Sequence, residues 1–160
     1  MLSYRTQLPT PARPETVWDV LHSGELVAIL FNQRVRKAQL LEGSPNHVGA
    51  RYRYDLMTEQ HDTTGSLLAE LVAQTPYRFV HWRYSVFGAT YILKVDWQPT
   101  AGGSELQVYL ETNYASPFLT LGLLFRRRRY YHGWDERFAE LAQYLAGQYP
   151  TPGAAPVSAQ

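Results

Sequence analysis

The sequence predicts an α+β domain: a seven-stranded antiparallel sheet curved around one long C-terminal helix, with two short helices after the first strand. Three observations carry this. Residues 116–147, SPFLTLGLLFRRRRYYHGWDERFAELAQYLAG, place Tyr131, Trp134, Phe138, Leu141 and Leu145 at three- and four-residue steps, on one face of a helix. Between Val35 and Asn113 the chain breaks into short segments that alternate apolar and polar residues, as half-buried strands do. The links between these segments are short, so neighbours pair antiparallel.

In chain order, Leu2, Tyr4, Thr6 and Leu8 alternate with Ser3, Arg5 and Gln7, giving a first strand ended by Pro9, Pro11 and Pro14. PETVWDVL then opens a helix with Pro14 at its entrance and Glu15 in the first turn, where a negative charge suits the dipole. Gly24 closes it, and Glu25 to Phe31 form a second short helical stretch. Strands follow at Val35–Leu41, Gly49–Thr58, Ser66–Gln74, Tyr77–Val86, Ala89–Trp97 and Glu105–Asn113. Their turns are Gly43–Asn46, HDTTG, Thr75-Pro76, Gly88 and Pro99–Gly103. The long helix starts at Ser116 as N-cap with Pro117 behind it, carries a joint at Gly122, and stops at Gly147 before Pro150 and Pro152. Residues 1–147 form a single domain, and 148–160, uncharged and proline-rich, form a disordered tail.

A chain of 160 residues can bury a sizeable core, and 45% hydrophobic with 18% charged residues is ordinary for a soluble globular protein. A net charge of +1 makes no case for nucleic acid. With no cysteine, disulfides, thiol catalysis and thiolate metal sites are excluded. The N-terminus has no apolar signal-peptide core and no apolar run approaches a membrane span, so the expected location is the cytoplasm.

The expected covered face of the sheet carries Tyr52, Tyr54, Trp82, Tyr84, Tyr91 and Trp97, facing Tyr131 and Trp134 of the helix. A sheet curled around that helix would hold these rings apart and enclose a cavity. Carrying the helical stripe backwards lands on Arg127 and Arg128, and four successive arginines cover most of a helix circumference. One of the two is therefore expected to lean inward. It would either contact a ligand or let its stem snorkel along apolar surface to solvent. Asp55, Glu70, Asp96, Glu105 and Glu111 share phase with polar residues, the mark of a solvated sheet face. The five histidines (His22, His47, His61, His81 and His132) show no metal-ligand spacing, and no catalytic set, metal site or cofactor motif is read. PFLTLGLLF followed by RRRR is expected either to pack over the cavity mouth or to touch an anionic membrane transiently.

The order of elements, with PARPETVWDVL, HVGARYRYD, LVAQTPYRFVHWRY and WDERFAELAQYL, resembles the START-like, polyketide cyclase/dehydrase and lipid-transport (SRPBCC) superfamily of the helix-grip fold. The resemblance spans about residues 2–147, although ELVAILFNQRV stands where these proteins commonly carry a Pro-Trp pattern. It implies a deep apolar cavity that binds a hydrophobic small molecule such as a lipid, quinone or polyketide-like compound. The lining would come from the eight aromatic residues just named with Leu124, and Arg127 or Arg128 would engage a polar head at the mouth. An aromatase/cyclase-like enzyme is the competing expectation, and a membrane-surface accessory role is a third.

Overall fold

The structure, a computed structural model, describes residues 1–57 and 63–147. His61 and Asp62 of the HDTTG turn, and the whole expected tail at 148–160, lie outside those residues. The elements run β1 (Leu2–Thr10), α1 (Pro14–Leu21), α2 (Gly24–Phe31), β2 (Arg34–Glu42), β3 (Arg51–Met57), β4 (Thr63–Thr75), β5 (Phe79–Val86), β6 (Ala89–Thr100), β7 (Gly103–Tyr114), α3 (Pro117–Phe125) and α4 (Arg127–Gly147). All seven strands form one antiparallel sheet in the order β1-β7-β6-β5-β4-β3-β2. β1 therefore closes the far edge beside the last strand, paired from Leu2 opposite Thr112 to Thr10 opposite Ser104.

Short-range chemistry sets the tight links. Val86 pairs with Ala89 across the two residues Phe87 and Gly88, both at positive φ (51° and 72°). That is the primed two-residue turn that matches strand twist, and Gly88 adopts it without a side-chain penalty. Where β7 begins, a Cβ on Gly103 would overlap the Thr10 carbonyl oxygen and Pro11. Only glycine lets the chain pass that close to the end of β1.

Alternation then decides the faces. Tyr54 and Leu56, Val80 to Val86 by twos, Leu93 to Trp97 by twos, and Leu106 to Leu110 by twos are all buried on one side. Against that side lie Val17 and Leu21 of α1, Leu26, Val27 and Leu30 of α2, and Trp134, Phe138, Leu141 and Leu145 of α4. Burying each large apolar side chain contributes roughly 1.5–3 kcal/mol, so this contact dominates the fold energetically. Two indoles fix α1 to the sheet. Trp82 Nε1 donates to the Leu21 carbonyl at 2.9 Å and Trp97 Nε1 to the Pro14 carbonyl at 3.2 Å. The first of these satisfies a carbonyl that the helix end leaves without an internal donor.

Three expectations need correction. Gly24 opens α2 instead of closing α1, which ends at Leu21. The C-terminal segment is two helices, not one, and the break is at Arg126 (φ −111°, ψ 22°) while the helix runs through Gly122 unbroken. The buried stripe of α4 begins at Tyr130, and Arg127–Arg129, the first residues of the same helix, are exposed. Ser116 does occupy the N-cap position of α3, but its hydroxyl makes no capping bond.

The third concerns the space between sheet and helix. The rings do not stand apart. Phe31, the last residue of α2, sits edge-on between Tyr84 (5.5 Å) and Tyr91 (5.2 Å). Trp134 then reaches Tyr91 at 5.9 Å and Phe138 at 6.1 Å, and Phe138 stacks on Tyr4 at 5.5 Å. Phe31→Ala should cost about 3 kcal/mol, the low end for removing a ring from a packed site, because Phe31 is only half-buried. Thermal or urea unfolding measures it; a loss below about 1 kcal/mol would mean Phe31 is not the wedge that closes the interior.

Candidate functional site

Part of the aromatic interior is sealed, and other rings reach solvent. Tyr54, Trp82, Tyr84 and Trp97 are buried. At the end formed by the start of β6, the close of β7 and the first turn of α4, Phe31, Tyr91, Tyr114, Tyr130 and Tyr131 are only half-buried. Ring contacts make most of them continuous: Phe31 to Tyr91, Tyr91 to Trp134, Trp134 to Tyr130 at 6.3 Å, and Tyr130 to Tyr131 at 5.4 Å. Tyr130 is fixed by a 2.6 Å hydrogen bond between its hydroxyl and that of Thr112 on β7. Tyr4 holds the other flank, donating to Asp135 Oδ1 at 2.6 Å. The result is a half-open aromatic floor, apolar in its faces and hydroxyl-tipped at its edges. α3 packs beside the end of β7 and against α4, next to this floor.

The eleven residues expected to line a site do not all meet. Tyr91, Tyr131 and Trp134 belong to the floor, with Tyr84 and Tyr54 beneath or beside it in the sealed core. Trp82 and Trp97 are turned to α1 by their indole bonds. Tyr52 lies towards the β2 edge, where its hydroxyl accepts the Asn46 backbone N–H at 2.9 Å. Leu124 is 49% exposed, and Arg127 and Arg128 are exposed together with Arg126 and Arg129. Neither arginine leans inward: both lie in the first turn of α4, ahead of Tyr130, where the buried side of that helix begins. Phe31 and Tyr130 were missed by the sequence reading, yet both had a signal. Phe31 is four residues after buried Val27, and Tyr130 is four residues before Trp134.

Electrostatics of the floor favour neutral hydroxyls. Burial raises Tyr91, helped by the neighbouring Tyr114, and burial also raises Tyr130. Tyr84 is pushed well above the ordinary tyrosine value by burial, and Tyr54 up to about 12 by burial and then by Tyr52. These shifts run opposite to what a tyrosine needs to donate a proton at neutral pH. The hydroxyls are suited to hydrogen bonding and orientation.

The other sheet face is polar. Ion pairs Arg83–Glu70 (3.4 Å), Arg53–Asp55 (3.2 Å) and Arg51–Glu42 (3.5 Å) run along it, and the shallow depressions at Arg5, Lys94 and Tyr109 and at Leu41 and Leu68 lie there as well. His81 projects to this side, and its Nε2 is the one buried side-chain polar atom without a hydrogen-bond partner among the described residues. Burial lowers its pKa, with Lys94 and Arg83 adding to the shift. His22 bonds the Trp18 carbonyl and Gln74, and His132 pairs with Glu136 at 3.1 Å. Among the described residues no group of three or more His, Asp or Glu could hold a metal ion, and no helix is long and apolar enough to cross a membrane.

This architecture recurs in solved structures. Protein SA2116 from Staphylococcus aureus superposes with a TM-score of 0.66 at 14% identity, over 92% of this chain and 91% of its own. CV1439 from Chromobacterium violaceum gives 0.63 at 16% identity, over 90% and 97%. Ara h 8.0201 gives 0.63 at 14% identity, over 91% and 98%. The chain has the helix-grip fold. No family model and no curated protein matches the sequence. At these identities the likeness is one of fold, so the site must be argued from its own residues.

The tyrosine shifts carry a pH prediction. An unfolded tyrosine loses its proton near 10.0, whereas Tyr54 in the fold holds its proton to about 12. Between those values the folded chain binds more protons, so stability is full below pH 10 and falls as pH rises through 12. Tyr54→Phe should make that alkaline fall shallower by about 2 kcal/mol. An unchanged slope in alkaline unfolding curves would refute the assignment.

Proposed function

We propose that this chain binds a hydrophobic small molecule on the half-open aromatic floor next to α3. The observation that carries the reading is the continuous run of half-buried rings, Phe31, Tyr91, Tyr130 and Tyr131 with Trp134 beneath them, at the end formed by the start of β6, the close of β7 and the first turn of α4. Aromatic faces with a few fixed hydroxyls are the usual lining of a small-molecule site, in which apolar contact supplies affinity and the polar tips set orientation. The resemblance of the sequence to START-like, polyketide cyclase/dehydrase and lipid-transport proteins supports the same class of ligand: a lipid, quinone or polyketide-like compound.

Since Phe31 already fills the space between Tyr84 and Tyr91, the ligand lies across the floor, and deeper entry requires Phe31 to swing out with the end of α2. Tyr130 and Tyr91 present hydroxyls to a polar group of the ligand. Arg127 and Arg128 take no part in holding it.

Native mass spectrometry of gently purified protein, with solvent extraction of whatever is released, tests the proposal. A stoichiometric apolar adduct is expected, and Tyr130→Leu should lower its occupancy or affinity about tenfold through loss of ring contact and hydroxyl. A bare-chain mass, together with no saturable binding of the fluorescent apolar probe 1-anilinonaphthalene-8-sulfonate, would contradict it.

A further inference from the structure

α3 is built inside out for a helix on a water-facing surface. Its nine residues, PFLTLGLLF, contain no charge, and none is buried. Thr120 and Leu123 are the half-buried pair and mark the side turned to the protein. Phe118, Leu121 and Phe125, spaced i, i+3 and i+7, form the opposite stripe and are 82%, 55% and 85% exposed. A helix this apolar is ordinarily buried or seated in a lipid interface. Exposed apolar stripes of this kind mark interaction surfaces, unlike single exposed side chains.

What covers the stripe is indicated by charge. Arg126 to Arg129 follow at once, all exposed. Among the described residues none of the four joins an ion pair, and neither α3 nor the first turn of α4 supplies a carboxylate. Four unneutralised arginines beside an apolar helix are complementary to a surface with an apolar interior and negative headgroups. A second copy of this chain would bring four like charges together at the same contact. We infer that α3 and Arg126–Arg129 form a docking element for anionic bilayers, with Phe118, Leu121 and Phe125 entering the acyl boundary and the arginines at headgroup level. Side by side, the stripe and the arginines combine apolar burial with attraction to anionic lipid, the two terms that set the strength of interfacial binding. This inference does not rest on the ligand reading, because it uses the outer stripe of α3 and not the aromatic floor.

Co-sedimentation of the full chain with phosphatidylcholine vesicles, with and without phosphatidylglycerol, tests it. Binding should be at least about tenfold tighter to the anionic vesicles and should weaken as salt approaches about 1 M, where the screening length is roughly 3 Å. Phe118→Ser with Phe125→Ser should abolish binding. Arg127→Gln with Arg128→Gln should reduce the preference for anionic over neutral vesicles several-fold. Both pairs are at exposed positions, so melting temperature and adduct mass should match the parent chain. Absence of vesicle binding would overturn the inference, as would equal binding to both vesicle types. So would a dimer that the paired Phe→Ser change dissociates, since a second copy would then be the occupant.

Discussion

Everything in this chain depends on covering one aromatic sheet face. Strands β3, β5 and β6 present Tyr54, Trp82, Tyr84, Leu93, Val95 and Trp97 on the same side, and no stable fold leaves that surface wet. With α1 and α2 covering part of it, α4 from Tyr130 onward supplies a long stripe of matching character that ends in Leu141 and Leu145. The length of that stripe fixes where the C-terminal helix can lie against the protein. The break at Arg126 lies just before this helix begins. It divides the segment into a helix that serves the core and a helix, α3, that serves none of it.

The same constraint governs the interior. Helix-grip architecture holds a helix across a curved sheet, and large rings at wide spacing would leave a void between them. Voids forfeit contact energy on every wall, so something fills them or a ligand does. Here α2 inserts Phe31, and the two indole donors pull α1 down at the other end. The proposed ligand site, where β6, β7 and α4 meet, is accordingly a floor of half-buried tyrosines and not a deep pocket.

Strand count, antiparallel order, the buried faces and the polar outer face were legible from alternation alone, since a period of two leaves little freedom once one side is apolar. By the same reasoning Tyr91, Tyr131 and Trp134 fell on the covered side, where the structure has them in ring contact with neighbouring aromatics. The interior could not be read, because whether facing rings touch depends on sheet curvature and on a side chain, Phe31, whose helix is only eight residues long. Arg127 and Arg128 were misplaced by carrying the stripe back past Tyr130 into the first turn of α4, where the side chains are exposed. A helical period says which residues share a face, but not how far along the helix that face stays covered.

Amide hydrogen exchange along residues 117–147 tests the division at Arg126 most directly. Amides from Trp134 to Leu145 should be protected close to the level of global unfolding, while those of α3 exchange orders of magnitude faster, as a helix held by few buried contacts does. Uniform strong protection from Phe118 through Leu145 would contradict the account. It would mean that α3 belongs to the core after all and that its apolar stripe is covered within the chain.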